Sequence, residues 1–175
     1  MKLNKKSCIL AAVIVGLLCI GGIAAYLTAA AKITNTVTVG YNEIEIVEDF
    51  TPPAELTPGV SFQKEVSVSN TGPVDCFVRV LSLFSRSDME DMCDVDYNTT
   101  DWAYNETDQY WYYKHSLKAG DTTTPLFTTI KVHDDAKEAA IKAFDIIVYA
   151  ESYQDSGEFS NYQDAWDHFH ANKPA

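Results

Sequence analysis

Basic residues are scarce in this sequence of 175 residues, which has 13 lysines and arginines against 25 aspartates and glutamates. The formal net charge is therefore -12 at neutral pH. Because an acidic surface repels a phosphate backbone, this balance excludes nucleic acid as a partner. Apolar residues make up 46% of the chain, an ordinary share for a globular protein, so we expect one folded domain.

Motifs of hydrolytic enzymes are also missing. The four histidines form no H-E-x-x-H motif, and the only close pair, His168 and His170, lies near the C-terminus. Carboxylates are numerous, but no spacing singles out an acid and base pair. The sequence therefore predicts a protein that is not an enzyme, with no catalytic residue and no resident cofactor.

Cysteine is limited to 4 residues, of which only Cys76 and Cys93 lie beyond the N-terminal apolar segment. Two cysteines in an exported chain permit one disulfide, which would close a loop of about 18 residues and contribute roughly 3 kcal/mol. The alternative is that Cys76 lies in a core strand as a small buried apolar residue. Both interpretations are open at this point.

Acids and aromatic residues are absent from residues 1–25, which begin with three lysines and continue as an uninterrupted apolar run from Cys8 to Ala25. This pattern predicts a signal peptide, cleaved by signal peptidase between Ala25 and Tyr26. A second cleavage site follows Ala31, and an uncleaved membrane anchor is the other alternative. We therefore expect a secreted or cell-surface protein that meets the membrane only through the uncleaved segment.

Apolar residues alternate with polar ones from Ile33 onward, which is typical of β-strands. At least seven strands separated by turn signals predict a mainly β protein, an antiparallel jelly-roll-like β-sandwich with one or two short helices. We expect an N-terminal strand segment over 26–40 and the β-sandwich domain over 41–175. The strands are expected near 33–39, 44–46, 66–68, 75–84, 110–113, 127–132 and 144–153.

Three stretches depart from this pattern. Residues 134–143 have a helix-forming composition that predicts a short surface helix or a helical turn, and residues 161–169 are expected to form a last helix that Asn161 caps. Its apolar face includes Trp166, which we expect to plug an end of the sandwich. Residues 85–109 are rich in Asp, Asn and Thr and are interpreted as a long excursion between strands.

Two features of this region suggest ligands. Asp94, Asp96 and Asn98 copy the first three positions of a calcium loop, but Thr99 and Asn105 break the rest of the pattern, so calcium is only a weak candidate. The second feature is a set of aromatic residues that either pack in the core or stack on a glycan, with core packing the favoured interpretation. These residues are Trp102, Tyr104, Tyr110, Trp111, Tyr112 and Tyr113.

Four longer segments resemble one known family. They are GGIAAYLTA followed by ITNTVTVGYNEIEIVE; TPGVSFQKEVSVSNTGPVDCFVRV; YWYYKHSLKAGDTTTPLF; and FDIIVYAESYQ with the later pair Ala165 and Trp166. Their order resembles the TasA and camelysin (CalY) family of Gram-positive bacteria, which uses the SipW-type export route and includes clostridial alternate signal-mediated exported proteins. The sequence departs from many relatives at Ala29, where they carry an acidic residue.

The resemblance implies a secreted jelly-roll sandwich, and its best-known relatives form biofilm matrix fibres. We therefore expect a structural protein of the extracellular matrix or cell surface that self-associates. A segment with Ile33, Val37 and Val39 is the candidate donor strand for a neighbour's sheet. The alternatives are that this strand pairs within its own subunit, and that the protein is a monomeric binding module for a glycan or another surface ligand.

Overall fold

A computed structural model describes residues 42–172 of the chain. The predicted signal peptide 1–25, the Ala25–Tyr26 cleavage site and the donor segment with Ile33, Val37 and Val39 lie outside the described residues and stay predictions. Residues 42–172 form eight strands in two antiparallel sheets with little helix, which confirms the mainly β sandwich. The strands are β1 Ile44–Phe50, β2 Ser61–Asn70, β3 Cys76–Phe84, β4 Cys93–Val95, β5 Trp102–Tyr104, β6 Trp111–Tyr113, β7 Phe127–Val132 and β8 Ile146–Gln154.

The strand order is β1-β2-β7-β4 in the first sheet and β5-β6-β3-β8 in the second. The inner triplets β2-β7-β4 and β6-β3-β8 have the neighbours of an eight-stranded jelly roll. In a jelly roll the first strand lies beside the last, whereas here β1 pairs with β2 as its sequence neighbour. The outer side of β8 therefore has no strand partner among residues 42–172.

The core lies between the sheets and follows the predicted alternation. Val66 and Val68 of the first sheet and Val78 and Val80 of the second are fully buried. Large side chains fill the space beside them, because alternate strand residues face the opposite sheet. These side chains are Trp102, Trp111, Tyr113, Leu126, Phe127 and Ile130.

A C-terminal helix, α2 (Tyr162–Asn172), confirms the last predicted helix, and the Oδ1 atom of Asn161 accepts a hydrogen bond from the Asp164 N–H at 3.0 Å. The expected position of Trp166 at an end of the sandwich is wrong. Trp166 instead packs with Phe77 and Tyr112, whose side chains point away from the sandwich core. The helix therefore covers the outer face of the second sheet.

The other departures concern residues 85–143. The excursion contains the single-turn helix α1 (Ser87–Glu90) and the short strands β4 and β5, which pair with β7 and β6 respectively. In the segment 134–143 the second of the two predicted forms is present, a helical turn of 3-10 type at Glu138–Ala140. None of that turn's residues is buried, so packing does not compensate for the cost of nucleating a longer helix.

The cap of α2 can be tested by replacing Asn161 with alanine. Loss of the side-chain acceptor leaves the Asp164 N–H without its partner and should lower the free energy of unfolding by about 1 kcal/mol. Urea denaturation followed by tryptophan fluorescence measures the change. Asn161→Asp keeps an acceptor and should stay within a few tenths of a kcal/mol of the parent, and equal losses in both variants would contradict the assignment.

Candidate functional site

The two sheets end side by side, in β1 of the first and β8 of the second. The hydrogen bonds that flank β8 show which of its residues face β3: the Asp155 N–H donates to Asp75 O at 2.9 Å, and the Ser85 N–H donates to Asp145 O at 2.8 Å. In an antiparallel pair, backbone groups alternate between the partner and the opposite side. The backbone N–H and C=O groups of the odd-numbered residues of β8 thus point toward β3. The backbone groups that face the open side belong to Ile146, Val148, Ala150, Ser152 and Gln154.

β1 has the same arrangement. The Thr51 N–H donates to Gln63 O at 3.1 Å, and the Thr71 N–H donates to Glu43 O at 2.9 Å. The backbone groups of the odd-numbered residues of β1 therefore point toward β2. The backbone groups of its even-numbered residues face the other way. No strand within residues 42–172 pairs with the open side of β1 or of β8. We call these two sides together the open edge.

An apolar groove of about 440 Å³ lies at one end of the open edge. Phe50, Phe62 and Phe144 line it, with ring centroids 6.2 Å apart for the first pair and 6.4 Å for the second. Lys64 is buried in the same wall, where its Nζ atom lies 2.9 Å from the Glu48 carboxylate and 5.2 Å from the Phe50 ring. The groove therefore has an apolar lining and an ion pair that neutralises its one buried cation.

Large apolar side chains are exposed on the two strands of the open edge. Phe50 is 49% and Val47 is 43% exposed on β1, and Ile147 is 54% exposed on β8. Ile147 lies opposite Leu83 of β3, which is 41% exposed. A long strand with unpaired backbone and apolar neighbours is a surface on which another strand can add.

A second site surrounds Arg79, at the centre of β3. The residue is only 3% exposed, and its Nε and Nη2 atoms donate to Glu151 Oε2 at 2.7 and 2.5 Å. Its Nη1 atom donates to the Tyr112 hydroxyl at 3.0 Å and lies 3.1 Å from His170 Nε2. Because arginine only donates, His170 accepts through Nε2 in this contact.

Aromatic rings enclose the same guanidinium group. Its central carbon lies 4.2 Å from the centre of the Tyr110 ring and 4.4 Å from that of Trp166. The Tyr112 hydroxyl also donates to the Asp108 carboxylate. Burial, followed by that hydrogen bond, raises the pKa of Tyr112 to about 12. Arg79 thus joins the outer face of the second sheet to α2, a role that its isolation within an apolar strand signals in the sequence.

The aromatic residues singled out in the sequence divide as their alternation predicts. Trp102, Trp111 and Tyr113 belong to the core between the sheets. Tyr112 packs under α2 with Tyr110 against it, so the outward-facing half is also covered. Tyr104 is 49% exposed, and its ring lies 5.0 Å from that of Trp111.

The weak calcium candidates make structural hydrogen bonds. The Asp96 carboxylate accepts from the N–H groups of Thr128 and Thr129 at 2.8 and 2.7 Å, and Asn98 Oδ1 accepts from the Thr100 N–H at 3.0 Å. Asp94 Oδ1 lies 3.2 Å from the His133 ring. Residues 42–172 contain no group of three or more His, Cys, Asp or Glu side chains arranged to hold a metal ion, so the structure gives the calcium hypothesis no support.

Cys76 and Cys93 are both free thiols in the structure, so the candidate disulfide is not formed there. Cys76 is fully buried in β3, which agrees with the interpretation of this residue as a small apolar core residue. Cys93 lies in β4 of the other sheet. Burial raises the pKa of Cys76 to about 12 and that of Cys93 to about 11, with neighbouring carboxylates adding to both shifts. Both groups are therefore neutral and unreactive at pH 7.

Comparisons with models of protein families, with curated proteins and with solved structures found no match. Within residues 42–172, no helix has the length and apolar character that crossing a bilayer requires. The function is therefore argued from the geometry of the described residues.

Arg79→Met tests the buried ion pair. The variant leaves Glu151, whose side chain is 14% exposed, without its cation, and should lower the free energy of unfolding by about 3–5 kcal/mol. Adding Glu151→Gln should restore part of the loss. Chemical denaturation is the measurement, with Arg86→Met as the matched control, because the Arg86–Asp88 pair is exposed and screened by solvent, so its loss should change stability far less. Equal losses for Arg79→Met and Arg86→Met would contradict this account.

The state of the thiols can be read by alkylation and intact-mass measurement without reductant. Because both pKa values are raised, neither cysteine should react in the native protein at pH 8, and the rate should rise only as pH approaches 11. After unfolding, both should be alkylated. Finding no reactive thiol after unfolding would show a disulfide and overturn the free-thiol assignment.

Proposed function

We propose that this protein is a secreted structural subunit of the extracellular matrix or cell surface that self-associates by strand addition. In this proposal the N-terminal strand segment of one copy pairs with the open side of β8 in another. The observation that carries the proposal is the outer side of β8, a strand of nine residues whose backbone groups there have no strand partner among residues 42–172. This is also the place where a jelly roll holds its first strand.

The donor segment suits this place in length and pattern. As a strand, residues 33–39 would place Ile33, Val37 and Val39 on one face and three threonines on the other. The apolar face could then cover the gap between the sheets. From 26 to 42 the only charged residue is Lys32. Because copies with a net charge of -12 repel one another, a segment without acids is the part of the chain best suited to cross between them.

The connection to β1 permits both an internal and an exchanged arrangement. Five Cα steps separate Val39 from Ile44 and reach at most about 17 Å, while packed sheets lie about 10 Å apart. The segment can therefore reach β8 of its own sandwich or of a neighbour. The same backbone hydrogen bonds form in either case, so exchange between copies costs little free energy.

The resemblance of the sequence to the TasA and camelysin family supports the same function and the same route of export. The rival function, a monomeric binding module, is favoured by a different observation, a cleft beside α2. The two functions use separate surfaces, because residues of β5 and α2 line the cleft and no residue of β8 does.

Proline substitutions on each side of the proposed contact test strand addition. Thr36→Pro with Thr38→Pro removes two donors from the segment, and Ser152→Pro removes an N–H on the open side of β8 without removing a β3 hydrogen bond. Each variant should stay folded and lose at least about tenfold in the rate of polymer growth. Electron microscopy, light scattering and size-exclusion chromatography measure assembly, and denaturation measures the fold.

Alanine at the same positions is the matched control, because it keeps every backbone donor. Thr36→Ala with Thr38→Ala and Ser152→Ala should assemble like the parent. Proline variants that polymerise at the parent's rate would contradict strand donation, and a parent that stays monomeric under all conditions would favour the binding module.

A further inference from the structure

A cleft of about 440 Å³ lies where α2 meets the end of β5. The proposed strand addition does not use it. Tyr112 and Trp166 form its base, and both are nearly fully buried. The walls come from two elements, the turn after β5 and one side of the helix. Its size falls within the range of pockets that bind small molecules, roughly 300–1,000 Å³.

One wall offers an aromatic face. Tyr162, the first residue of α2, is partly exposed in the cleft, and its ring centre lies 6.2 Å from that of Tyr112. Tyr112 in turn lies 5.6 Å from Trp166, whose ring packs on Arg79. Because these rings support one another, Tyr162 presents a fixed apolar surface of the kind that stacks on the C–H face of a pyranose ring.

Polar side chains surround that ring and have no protein partner. Gln163 and Asp167 are one helical turn apart on α2, and Glu106 comes from the turn after β5. All three are exposed, and none makes a side-chain hydrogen bond or ion pair to another residue in the range 42–172. They are planar amide or carboxylate groups, which accept hydrogen bonds from pairs of adjacent hydroxyls.

The charge of the lining decides which ligands fit. Glu106 and Asp167 are both acidic, and no lysine or arginine of residues 42–172 lines the cleft; Arg79, which packs on the Trp166 ring, is buried and already bound to Glu151. His170 also lines the cleft, and it accepts from Arg79 through Nε2, which leaves its other ring nitrogen as a donor. Phosphorylated, sulfated and uronic acid ligands are therefore repelled, whereas hydroxyl and amino groups find acceptors.

We infer that this cleft is a binding site for a non-acidic saccharide of one or two pyranose rings, stacked on Tyr162 and hydrogen-bonded by Glu106, Gln163 and Asp167. The site is distinct from the open edge. A subunit carrying it can therefore hold a neutral or amino-bearing surface polysaccharide while its edge strands assemble. The inference does not depend on assembly, since a monomer presents the same cleft.

Ligand-observed NMR and calorimetry on the full chain test the site with three disaccharides. Cellobiose and the disaccharide of glucosamine should bind, and digalacturonic acid should not. Tyr162→Ala should weaken binding on the order of tenfold, whereas Tyr162→Phe keeps the stacking surface and should bind the disaccharides like the parent. Glu106→Gln with Asp167→Asn should weaken the amino-bearing ligand more than cellobiose, because only the former carries a positive charge.

Phe159→Ala is the matched aromatic control, since Phe159 packs in the same cluster under α2 without lining the cleft. Asp135→Asn is the matched charge control, as an exposed acid elsewhere. Binding that falls in Tyr162→Ala and persists in both controls supports the site. The inference is overturned if neither non-acidic disaccharide binds, if digalacturonic acid binds as tightly, or if Tyr162→Ala and Phe159→Ala weaken binding equally.

Discussion

Every backbone N–H and C=O group that a folded protein removes from water needs a hydrogen-bond partner, and a two-sheet sandwich leaves this need unmet at its outermost strands. Here the described strands end at β1 and β8 on one side and at the three-residue strands β4 and β5 on the other. The short pair offers few unpaired groups. The long pair concentrates the requirement at one edge, which is the place that a first strand occupies in a jelly roll.

A second constraint shapes the outer face of the second sheet. Arg79 lies at the centre of β3 with its charge buried, so it needs both a carboxylate and a cover that keeps the pair dry. Glu151, opposite Arg79 on β8, supplies the carboxylate. Helix α2 supplies the cover through Trp166, whose ring packs on the guanidinium group. The cleft beside Tyr162 follows from this cover, because the helix meets the sheet without closing over the end of β5.

Much of the fold follows from local pattern. Alternating residues such as Val66 and Val68 predict strands correctly, and Asn161 marks the start of the last helix where the structure has it. Patterns failed where long-range packing decides. Nothing in the spacing of Trp166 distinguishes the end of a sandwich from the outer face of a sheet, and the choice depends on the distant residues Arg79 and Phe77.

The functional surfaces were predictable to different degrees. The candidate donor segment is recognisable in the sequence by its near absence of charge and its place before β1, but the side of β8 on which we propose that it pairs follows only from the strand order. Asp96 and Asn98 suggest a metal-ligand pattern by their spacing, whereas Asp96 accepts from backbone N–H groups 32 and 33 positions away and Asn98 accepts from the nearby Thr100 N–H. The cleft beside α2 joins residues from two elements whose contact has no local signature.

Isotope-mixed cross-linking tests the central claim most directly. A photoreactive amino acid at position 37 is introduced into labelled (¹⁵N) and unlabelled chains, which are mixed in equal amounts, assembled, irradiated and digested for mass spectrometry. Strand addition predicts peptides that join residues 33–39 to Ile146–Gln154, with mixed-isotope pairs as frequent as same-isotope pairs in polymers and absent from monomers. Polymers that yield only same-isotope pairs, or cross-links to another part of the chain, would contradict it.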